Sequence, residues 1–174
     1  YEHWAKIHNL KQAARTLNFL TENRIDSYAE LSAKIAEVNA ASEQAAGALK
    51  GVERRLADMA VLIKNVTTYQ KTKPVYDAYR RAKDKAAYRA AHESSIILFE
   101  AAAKAVKPAL IGGKLPNVAA LQAEYAALGE QKEKLYADYG KLKKQVKEYD
   151  VIKRNIDSIL RRESEPERGK ETER

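Results

Sequence analysis

The sequence predicts an all-α protein: a long antiparallel coiled-coil hairpin with a small helical cap at its tip and an N-terminal helix packed at its open end. Three observations carry this. Of the 174 residues 32% are charged, with only seven Gly and four Pro, while Phe, Trp and Met total four; that is the profile of long helices with most positions in water rather than of a compact globule. Stepping by alternate threes and fours from Tyr28 to Gln70 meets an apolar or aromatic residue at eleven of thirteen positions, and the same stepping from Val118 to Leu160 again gives eleven of thirteen. Both runs cover 43 residues, or about 64 Å of helix.

A seam of period 3.5 specifies left-handed coiled-coil packing. Equal lengths on either side of a compact segment make an intramolecular antiparallel pairing the economical arrangement, and the heptad count puts Leu56 between Lys132 and Leu135. The same heptads would also serve an intermolecular coiled coil.

The elements follow in order. Residues 1–25 form a helix whose apolar face is Trp4, Ile7, Leu10, Ala14, Leu17 and Leu20, ending near Asn23 and Arg24. Residues 26–70 are the first heptad helix, opened by the capping box Ser27-Tyr28-Ala29-Glu30. Gly47 and Gly51 inside it permit close approach or a bend. Residues 71–116 are the basic tip, where Pro74 suits the first turn of a new helix and "KPALIGGKLP" is a loop. Residues 117–162 are the second heptad helix, started at Pro116 and Asn117, with Lys132 and Lys153 in its seam as register-setting or snorkelling residues. Residues 163–174, "ESEPERGKETER", hold no apolar side chain and are expected to be disordered.

Charge is concentrated in the tip. Residues 71–116 hold ten Lys and Arg against four Asp and Glu, and most of the net charge of +8. If a helix starts at Pro74, Tyr79 falls on its apolar face and Lys73, Tyr76, Arg80 and Lys83 align on the opposite one, with Arg81, Lys85 and Arg89 continuing the positive surface. Cations of this kind neutralise phosphates with release of counterions, and an exposed Tyr76 stacks on a base. The same composition also suits a merely solvated helix with core tyrosines.

Other chemistry is sparse. With no Cys, disulfides, thiolate zinc sites and cysteine nucleophiles are excluded. His3 and His8 are five apart and point in different directions from a helix, and His92 stands alone, so no metal site is expected. Gly112-Gly113 is not a phosphate-binding loop, and Ser94-Ser95 suits a helix cap better than a nucleophile. No cofactor and no active site are expected. No apolar run approaches the roughly 18 residues of a membrane span and no signal-peptide pattern occurs, so a soluble, cytosolic protein without a membrane partner is expected; a start at Tyr1 suggests a piece of a longer chain.

The segments "YEHWAKIHNLKQAARTLNFLTENRIDSYAEL", "RLADMAVLIKNVTTYQKTKPVYDAYRRAK" and "KLPNVAALQAEYAAL" resemble, in order, the C-terminal helical region of relaxases, the mobilisation nucleases of conjugative transposons and plasmids from clostridia-related gut bacteria. The resemblance implies a role in DNA mobilisation, with DNA near a transfer origin as partner. It equally implies docking of relaxosome accessory or coupling proteins. In the family a separate N-terminal domain nicks DNA with a tyrosine and a histidine-cluster metal site. That cluster has no match here, so the resemblance implies a non-catalytic module. The family carries a glycine near the end of the basic helix where this chain reads Lys83-Asp84-Lys85.

Overall fold

The computed structural model describes residues 2–164. It is all-helical, with long helices packed together: α1 (Glu2–Glu22), α2 (Tyr28–Arg81), α3 (Lys85–Ala91), α4 (Glu93–Val106) and α5 (Val118–Ser164). No strand forms among the described residues. A single bridge joins Ile111 and Lys114 around Gly112 and Gly113, whose φ angles of 57° and 78° favour glycine. The disorder expected for the tail concerns residues outside those described, apart from 163 and 164, which still belong to α5. Among the described residues no helix is long and apolar enough to cross a membrane.

The chain divides into two units, Tyr1–Gly47 with Ala137–Arg174, and Ala48–Tyr136. Both α2 and α5 contribute to each.

In the first unit α1 ends as the composition of residues 23–25 suggests. Arg24 takes the left-handed conformation at φ 54°, its N–H donates to the Thr21 carbonyl, and the Ile25 N–H reaches back to the Leu20 carbonyl at 2.9 Å. This is the paired closure of a Schellman motif, with Ile25 packing near Leu20 as the motif requires. Ser27 then caps α2 by accepting from the Glu30 N–H, while the Glu30 carboxylate accepts from the Asp26 N–H at 2.7 Å, one residue earlier than in the standard box.

The core here is Ile25, Leu31, Tyr149 and Ile152, flanked by Phe19, Leu20, Ile35, Val38 and Ile156. Phe19 meets the Tyr149 ring edge-to-face at 5.0 Å. The face that α1 buries differs from the expected one. Trp4, Leu10 and Leu17 are exposed, whereas Thr16 is buried, donating to the Gln12 carbonyl and accepting from the Asn155 amide at 3.1 Å. A satisfied polar pair costs little to bury, so the helix turns Thr16 and Phe19 inward and leaves the leucine stripe to solvent. Tyr28 donates its hydroxyl to Asp157 at 2.9 Å.

In the second unit Leu49, Val52, Val66, Ile96, Phe99, Ala102, Val106 and Leu128 are buried. Asn117 caps α5, accepting from the N–H groups of Ala119 and Ala120. Lys132 is met by Glu53 at 3.1 Å, one helical turn before the Leu56 expected there, and Arg55 pairs with Glu124. A Cβ on Gly47 or Gly51 would meet nothing within 4 Å, so neither glycine marks a close approach.

Pro74 does not begin a helix; it lies inside α2. Proline removes the bond to the carbonyl four residues earlier and its ring crowds that carbonyl, costing about 3 kcal/mol in a helix interior. Phe99 of α4 supplies the compensation. Its ring lies 4.8 Å from Tyr69 and 4.2 Å from Tyr76, one residue on each side of Pro74, so a single buried ring clamps the helix across the defect.

Candidate nucleic-acid interface

The break expected at Pro74 falls instead at residues 82–84, between α2 and α3. Asp84 causes it. Its backbone is extended and its carboxylate accepts from the Ala87 N–H at 2.9 Å, which starts α3, as short polar side chains do at a helix N-cap. The family's glycine is thus replaced by a turn that Asp84 closes. Arg80 and Arg81 occupy the last turn of α2, Lys83 lies in the turn, and Lys85 and Arg89 belong to α3. The single basic helix face expected from the sequence is therefore split over two helices.

The seven residues singled out from the sequence separate into two groups. Lys73 pairs with Asp77 at 2.6 Å. Arg89 forks onto both Glu100 oxygens at 3.0 and 3.2 Å and lies 5.8 Å over the Tyr79 ring; Glu100 first, and then the Tyr79 hydroxyl, raise the pKa of its guanidinium. These two cations serve the fold. Arg80, Arg81, Lys83 and Lys85 are exposed, and among the described residues no ion pair joins any of them to an acid.

Tyr76 does not hold the position expected of it. It is half-buried, stacked on Phe99 with an interplanar angle of 20° and 5.8 Å from Tyr79. The opposition of an exposed Tyr76 and a core Tyr79 fails because it assumed a helix beginning at Pro74 with nothing stacked on its charged side. Tyr88 lies against His92 at 4.3 Å. His92, not Ser94 or Ser95, stands at the cap of α4.

The acids of this segment are mostly engaged: Asp77 by Lys73, Glu100 by Arg89 and Asp84 by the start of α3. Lys73, with Arg81 and Arg80 adding weakly, holds the Asp77 carboxyl below its ordinary value of 3.8. Its pairing stabilises the folded state above the carboxyl's unfolded pKa and is lost as pH falls through the depressed folded one. NMR titration of the Asp77 carboxyl carbon is expected to give a midpoint under 3.8, moving back up in Lys73→Ala.

Four cations within six residues, at a helix end and the adjoining turn, can hold a row of phosphates. Among the described residues no group of three His, Cys, Asp or Glu converges as a metal site. Comparison with protein-family models, with curated proteins and with solved structures finds no match to this chain.

Proposed function

We propose that this chain is a non-catalytic helical module that binds DNA during mobilisation, of the kind relaxases carry C-terminal to their nicking domain, working in the cytosol. The observation that carries the reading is the cluster Arg80, Arg81, Lys83 and Lys85, exposed together while the neighbouring acids are engaged. With Tyr76 occupied by Phe99, contact is to phosphates and not by base stacking. In this reading α2 and α5 are the arms of one antiparallel hairpin, supported by Tyr28 pairing with Asp157 and Glu53 with Lys132.

The test is fluorescence anisotropy with labelled single-stranded and duplex DNA across a salt series. Affinity should fall steeply with salt, and Arg80→Ala with Arg81→Ala should flatten the logarithmic slope by about one to two units. A wild-type chain that binds neither DNA form at low salt, or an arginine pair whose loss changes nothing, overturns the proposal. Docking of accessory or coupling proteins is the second reading, favoured by Ile97 and Leu98, which α4 leaves exposed.

A further inference from the structure

We infer that α5 carries a second DNA contact, on the first unit, formed by Lys143, Lys144, Lys147, Arg154, Arg161 and Arg162. At about 100° per residue these six fall within a sector of about 100° of the helix circumference, over a length of roughly 28 Å. All are exposed. The acids of the same stretch lie outside that sector and face the neighbouring helices: Glu148 shares a groove with Lys11 and Arg15 of α1, and Asp157 accepts the Tyr28 hydroxyl. Asp150 flanks the row, its carbonyl accepting from the Arg154 guanidinium.

At the C-terminal end of the row Arg154, Ser158, Arg161 and Arg162 line one open groove. Cations there are also favoured by the negative end of the helix dipole, but Lys143, Lys144 and Lys147 lie some three to five turns earlier, beyond its reach. An acid-free row therefore needs another partner. Its chemistry is that of a regular, stiff polyanion: a straight helix holds its charges in line, and duplex DNA, rigid over far more than this length, presents phosphates at fixed spacing along it. No aromatic ring lies within the row, so it reads backbone and not sequence.

This inference rests on the reading that the chain binds nucleic acid, yet its residues are distinct from Arg80, Arg81, Lys83 and Lys85. The experiment measures anisotropy of labelled duplex with the full chain over a salt series. It compares wild type, the ridge variant Lys147→Gln/Arg154→Gln/Arg162→Gln, the variant Arg80→Ala/Arg81→Ala, and a charge-matched control, Lys50→Gln/Arg54→Gln/Lys64→Gln. The ridge variant should lose at least about tenfold in affinity at physiological salt and about two to three units of salt slope, while the control loses less. Circular dichroism should show its helix content unchanged, since all three side chains are exposed.

A ridge variant that binds like the control overturns the second contact and leaves the Arg80 cluster standing. Loss in the ridge variant with none in the Arg80/Arg81 variant upholds the ridge and removes the other site. Failure of the wild type to bind duplex at low salt removes both. Ridge-dependent binding to vesicles containing one-third phosphatidylserine, with duplex binding unmoved, makes the row a membrane contact and overturns the inference.

Discussion

Phe99→Ala is expected to destabilise the protein by about 3 to 5 kcal/mol, read from urea unfolding followed by circular dichroism. The ring is buried and lies against two tyrosines seven residues apart on α2. Removing it opens a cavity and also releases the clamp across Pro74, whose interior position costs helix stability by itself. The loss should therefore sit at the upper end of the range for a large core deletion. Helix content should fall too, because the turn of α2 beyond Pro74 depends on this contact. Tyr76→Phe keeps the stacked ring and is expected to shift stability by no more than about 0.5 kcal/mol while leaving single-stranded DNA affinity as it was. A loss of several kcal/mol in Tyr76→Phe, or an unaltered midpoint in Phe99→Ala, would remove the clamp.

The second large effect is expected in the first unit. Leu31→Ala and Ile152→Ala should each cost about 2 to 5 kcal/mol, since the side chains are 1% and 2% exposed within one cluster. Sharing that cluster, they should not be additive; the double variant is expected to lose less than the two single losses together. Leu10→Ala and Leu17→Ala on α1, at 69% and 65% exposure, serve as the contrast and should change stability by about 0.5 kcal/mol or less. Were Leu17→Ala as costly as Leu31→Ala, the stripe on α1 would be the packed face after all.

Those contrasts mark where the sequence could and could not be read. Leu31, Leu49, Val52, Val66, Leu128 and Tyr149 are all heptad positions and all buried: a repeat kept over many turns admits one phase only. α1 offered no such repetition. Its most apolar stripe and its packed face differ because Thr16 finds Asn155 139 residues away, a partnership no local pattern announces. Pro74 was misread for a similar reason, since the ring that offsets its cost comes from α4.

The candidate site was legible as composition and not as geometry. Seven basic residues stood out between Tyr69 and Arg89, yet which of them are consumed depends on Asp77 and Glu100, and only the second of these is distant enough along the chain to be unforeseeable. The row on α5 escaped the opposite way. Counting charge by segment averages the cations of one face with the acids of another, and residues 117–162 therefore looked nearly balanced. Reading the same residues around the helix separates them.

The exposure of Trp4 bears on how unfolding of this protein can be followed at all. It is the chain's one tryptophan and its indole is 77% exposed in the folded state, so its emission already reports water. Collapse of either core would pass almost unseen by tryptophan fluorescence. The optical signal of native packing lies instead with the contacting rings of Tyr69, Phe99 and Tyr76, and of Phe19 with Tyr149, in the near-ultraviolet dichroism. A tryptophan placed at Phe19 or Phe99 would convert the silent chromophore of α1 into a background against which each core could be watched separately.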